Sequence, residues 1–136
     1  MAWFLAKTDP QTYSIEQLKA DGRTVWDGVA NPQAAGFIRS MKKGDKVFIY
    51  HSGGESAIVG LAKVDSAPRT GAAAPKSWVA DFRFLGMIEP PIRLSEIKSS
   101  GLFNDWLLVR QGRLSTMPVP DEFVDWVRAR YPRLKL

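Results

Sequence analysis

Apolar positions along this chain follow two periods, and the change from one to the other outlines its elements. Runs rich in β-branched and aromatic residues predict strands at Ala2–Ala6, Lys46–His51, Ala57–Val64 and Val79–Gly86, each bounded by Gly, Pro, Asp or Ser. The middle two read as a hairpin, because Ser52-Gly53-Gly54-Glu55-Ser56 between them supplies the glycines that positive φ angles require. In the fourth run Trp78, Ala80, Phe82 and Phe84 share one face while Asp81 and Arg83 take the other, which turns the aromatics toward a core.

Helices announce themselves by their caps. Ser14-Ile15-Glu16-Gln17 is a capping box leading to Leu18, and Asn31-Pro32 sets an N-cap with proline at the first helical position, for a helix running to about Met41. Phe123, Val124, Val127 and Tyr131 recur at helical spacing and predict a third helix from about Asp121 to Tyr131. Residues 66–77 hold small residues and breakers without any apolar period, and read as one long loop. The expected class is α+β: a sheet with helices against it, either open or closed into a small barrel.

Length and composition narrow this further. At 136 residues and 45% apolar content, without repeats or linkers, one domain over residues 1–136 is expected. The absence of cysteine excludes disulfides, thiolate metal sites and cysteine nucleophiles. The first seven residues are too short an apolar run for a signal peptide, and Ala57–Ala62 is far below spanning length, so no membrane partner and a cytoplasmic location are expected. Net charge is +5, and the excess lies late: residues 1–38 carry three Lys/Arg against four Asp/Glu, and residues 39–136 carry sixteen against ten. A polyanion partner fits that asymmetry, as does a merely solubilising surface.

Enzyme signatures are sparse. Neither glycine-rich phosphate cradle is present, and the single histidine, His51, has a serine neighbour whose side chain would point to the opposite strand face. The catalytic alternative is a small nucleotide-processing hydrolase in which His51 works with Asp45 or Asp27. No metal or cofactor is expected. Trp26, beside a helix cap, and Trp78, where the loop meets a strand, lie at element boundaries. Such indoles suit stacking on a nucleobase, worth about 1–3 kcal/mol per base, or else they complete the core. A third alternative is a protein-interaction module that uses exposed aromatics.

The residues also resemble a known family. Trp3-Phe4-Leu5-Ala6-Lys7-Thr8-Asp9-Pro10, then Tyr13-Ser14-Ile15 with Leu18, then Val25-Trp26-Asp27-Gly28-Val29 with Asn31, Gln33 and Ala34, are similar to the opening of the EVE domain. Met41-Lys42-Lys43-Gly44-Asp45, Tyr50-His51-Ser52, Ile58-Val59-Gly60 and Leu114-Ser115 with Pro118-Val119 continue the match in order. The resemblance implies a PUA-like curved mixed sheet or small β-barrel flanked by short helices, related to the YTH readers of methylated adenine in RNA. It implies a non-catalytic pocket for a modified nucleobase in DNA or RNA, in a monomer or weak homodimer.

Carried over by motif, Trp26 is an aromatic wall and Asn31 an amide for the base edge. Lys7 and Thr8 place a cation and a hydroxyl at the mouth, Ser52 a hydroxyl at a strand end, and Trp78 a second indole. Ser115, Met117 and Pro118 lie in a late segment expected to close over the site. Two family arginines are missing, at Ala30 and Ala35, and Met117 stands where glutamine is usual before the proline.

Overall fold

The computed structural model describes residues 2–71, 77–134 and 136. In chain order the elements are β1 (Trp3–Thr8), α1 (Ile15–Asp21), β2 (Arg23–Trp26), α2 (Pro32–Ser40), β3 (Lys46–His51), β4 (Ala57–Val64), β5 (Arg69–Thr70), β6 (Trp78–Arg93), α3 (Leu94–Ser100), α4 (Leu107–Arg110), β7 (Thr116–Pro118) and α5 (Asp121–Arg130). Six strands follow the order β2-β6-β4-β3-β1-β7, and β5 pairs with β6 outside that path. β1 lies parallel to β3 and antiparallel to β7, so the sheet is mixed. β2 and β7 end the path and no pairing joins them among the described residues, so the sheet is open and the closed-barrel alternative is not realised.

Local signals explain most of this. Ser14 caps α1, its side chain accepting from Gln17 N while Gln17 reaches back, and Asn31 caps α2 ahead of Pro32. The β3–β4 hairpin turns on Gly53 and Gly54, at φ +83° and +61°. β6 is twice the predicted length. Between the pairs Gly60↔Met87 and Ile58↔Ile92, β4 advances two residues and β6 five. Pro90 and Pro91 fall in that excess, where no ladder N–H is needed, and the bulge bends the sheet.

The core lies between the curved sheet and the helices. Phe48, Phe82 and Phe123 are fully buried within it, with Phe103 packed edge-on and Trp106 tilted at 44° against Phe123. Buried Asp45 accepts from the backbone of Ala2 and Lys42, tying the start of β1 to the turn before β3. The predicted loop at 66–77 contains β5, and Ala72–Lys76 within it lie outside the described residues.

Candidate functional site

Pairing of β1 with β7 places Ser115 beside Lys7: the Lys7 N–H donates to the Ser115 carbonyl at 2.8 Å. β2 then bounds the same space from the other side. The result is an open cleft of about 410 Å³, walled by Lys7, Thr8 and the turn after β1, by β2 and Asp27–Val29, and by Ser115. Four of the predicted residues, Lys7, Thr8, Trp26 and Ser115, meet there.

Trp26 forms a fixed wall. Phe82 stacks against its indole at 5.0 Å with planes 22° apart, Tyr13 meets it edge-on at 6.3 Å, and only 6% of the residue stays exposed. One indole face is therefore spent on the core. Lys7 is held too: its Nζ donates to the Gly112 carbonyl at 2.8 Å and sits 5.3 Å from the Tyr50 ring centre. Burial holds its pKa below the ordinary lysine value. Thr8 Oγ1 donates to the Tyr13 carbonyl at 2.7 Å, which leaves its lone pairs to accept.

The other predicted residues are placed elsewhere. Asn31 Oδ1 accepts from Gln33 N and Ala34 N at 2.9 and 3.1 Å, so the acceptor of its carboxamide is committed to the α2 cap. Trp78 is half-buried under the Arg39 guanidinium, 5.0 Å from the ring centre, and does not line the cleft. Ser52 follows β3, with its N–H on the Thr8 carbonyl at 2.9 Å. Met117 is fully buried opposite Leu5 in the β1–β7 ladder, and the Pro118 carbonyl accepts from Trp106 Nε1 at 3.0 Å. Thus one indole, not two, borders the cleft, and no carboxamide does.

His51 is engaged as well. Its Nε2 accepts the Ile15 N–H at 3.0 Å, which occupies the lone pair a general base would use. Asp45 precedes the first residue of β3 and His51 is the last, so the strand separates them by roughly 20 Å. Asp27 lines the cleft and His51 does not. No cluster of three or more metal-ligating side chains occurs among the described residues.

Comparison with known proteins places the chain. Residues 2–130 match the EVE domain. The chain belongs to this family. It is 32% identical to human thymocyte nuclear protein 1, over 91% of this chain and 71% of that protein. The crystal structure of human THYN1 protein in complex with 5-methylcytosine containing DNA superposes with a TM-score of 0.85 at 30% identity, covering 95% of this chain and 96% of that one. A protein from Agrobacterium tumefaciens superposes at 0.89 with 31% identity, covering 95% and 92%.

Within this EVE domain the two missing arginines have different surroundings. Ala30 is exposed, whereas Ala35 is packed into the core under α2. Asp9, Tyr13 and Thr24 also line the cleft though the sequence did not mark them as ligand-binding, and so does Asp27, which the sequence offered only as an acid for His51. Asp9, Tyr13 and Asp27 sit inside the very motifs that carry the family resemblance. A larger groove of about 620 Å³ lies between the turn after α3 and Pro118–Pro120. Its walls carry Asp105 and Glu122 but no Lys or Arg, the wrong sign for a polyanion. No helix among the described residues is long and apolar enough to cross a membrane.

Proposed function

We propose that this EVE domain is a non-catalytic reader that takes one modified base of a DNA strand into the cleft beside Trp26. The observation that carries this is the cleft's composition: a rigid indole wall with polar groups around it, at about 410 Å³. Volumes of 300–1,000 Å³ suit small flat ligands. The bound DNA of the human relative supports 5-methylcytosine as the first base to test. Asp9 and Asp27 add carboxylates able to accept from an exocyclic amine such as cytosine N4, and Thr8 adds a hydroxyl.

Selectivity is the demanding step, since burying one methyl is worth only about 0.8 kcal/mol, roughly fourfold in affinity. Flipping a base out of a duplex costs a few kcal/mol, so single strands should bind better. Titration with short oligonucleotides, each carrying one modified base in DNA or RNA, at two salt concentrations tests the reading. It predicts tighter binding of a modified DNA strand than of its unmodified twin at both salts. Equal affinities for all of them, falling steeply with salt, would show phosphate attraction alone.

A further inference from the structure

The cleft is a poor source of phosphate affinity. Its walls carry one cation, Lys7, against two carboxylates, Asp9 and Asp27. The positive charge lies elsewhere. Strand register sets Arg23 directly opposite Arg83, Arg83 opposite Lys63, and Lys63 opposite Lys46. Directly paired residues share a sheet face, so four basic side chains form one row across β2, β6, β4 and β3. At about 4.8 Å between strands the row follows a path of about 14 Å.

Such a row is costly, because like charges directly opposite one another repel. Two acids relieve only the arginine end. Asp65 pairs with Arg23 at 3.3 Å and Arg83 at 3.2 Å, and Asp81 pairs with Arg23 and, at 3.0 Å, with Arg69. These carboxylates hold three guanidiniums in place, each about half exposed and with further N–H donors to offer. At the other end neither Lys63 nor Lys46 makes an ion pair among the described residues, and Lys46 lies over the Trp3 ring at 5.4 Å. With Arg69 the surface sets five cations against two carboxylates.

We infer that the Arg23–Arg83–Lys63–Lys46 row is a second binding surface that takes the phosphates of a nucleic-acid strand flanking the base in the cleft. The two surfaces meet at the edge strand β2, where Val25 shares the Arg23 face and also borders the cleft, while Thr24 and Trp26 line the cleft from the opposite face. Base recognition and backbone affinity are thereby assigned to different parts of one protein. The inference rests on the nucleic-acid reading above, but it makes a separable claim about charge.

The test is the salt dependence of binding to single-stranded DNA with one 5-methylcytosine, as a 4-mer and as a 16-mer, for the wild type and for the double variant Lys63→Gln, Lys46→Gln. The slope of log K against log salt should fall in magnitude by about 0.7 per removed cation on the 16-mer. The ratio of modified to unmodified affinity should stay as in the wild type. An unchanged slope overturns the row as a phosphate surface while leaving the base reading intact. A reduced slope in a protein that never prefers the modified base supports the row and removes the base reading. A wild type that binds neither oligonucleotide overturns both. Lys63→Gln alone should melt no lower than the wild type, because it relieves two like-charge contacts; a clear drop in its melting temperature would mark Lys63 as structural and overturn the inference.

Discussion

The imidazole of His51 at the end of β3 accepts the backbone N–H of Ile15 at 3.0 Å, so the chain's one histidine closes the first turn of α1. Only neutral imidazole can do this, with the hydrogen on Nδ1. Burial lowers the His51 pKa below the ordinary 6.5, against a weaker upward pull from Glu16. The unfolded chain therefore takes up the proton first. Stability is full above about pH 6.5 and falls as pH drops through that value toward the folded pKa. Thermal melts between about pH 7.5 and 5.5 should show this decline, and His51→Gln, whose amide oxygen can still accept, should flatten it; parallel curves for both proteins would refute the assignment.

Trp26 and Trp78 should separate in binding. Trp26→Phe keeps a ring on Phe82 but withdraws indole surface from the cleft, and should cost about 1 kcal/mol of affinity for a 5-methylcytosine strand, roughly fivefold. Trp78→Phe, away from the cleft and beneath Arg39, should bind as the wild type does. Anisotropy titrations of both variants decide it, and equal losses would displace the site from this cleft.

Asn31 offers a clean division between cap and ligand. Asn31→Asp retains an acceptor for Gln33 N and Ala34 N and should keep full stability, whereas Asn31→Ala should lose about 1 kcal/mol in urea unfolding. If the carboxamide also donates to a base, Asn31→Asp will bind the modified strand more weakly despite its intact fold. The structure commits its oxygen to the cap, so unchanged binding is the expected result.

Gly60 lets Ile15 of α1 approach the sheet closely. A Cβ there would lie 2.7 Å from Ile15 Cγ1 and 3.1 Å from the Gly86 carbonyl oxygen, and would overlap Ile15 Cδ1. Gly60→Ala should therefore destabilise by about 1–3 kcal/mol. Adding Ile15→Val, which removes Cδ1, should recover part of that loss. Denaturant midpoints of the two single variants and the double variant give the coupling; strictly additive effects would count against the clash.

Caps and short-range turns were legible before any coordinates. Ser14 and Asn31 start helices because the N–H groups they satisfy lie within three residues, and Gly53-Gly54 joins β3 to β4 for an equally local reason. Four cleft residues, Lys7, Thr8, Trp26 and Ser115, were reached through family motifs. By contrast β2 and β7, at four and three residues, are too short to display a period. They exist because β6 and β1 lend them partners far away in the chain, as in Trp26↔Ala80 and Leu5↔Met117. The same distant pairing decides what each side chain has left to give: it buries Met117, covers one face of Trp26 with Phe82, and aligns four basic residues that no stretch of sequence shows together. Residue type and spacing specify elements because their hydrogen bonds are local, whereas a site depends on which polar atoms and ring faces remain unused once remote strands have paired.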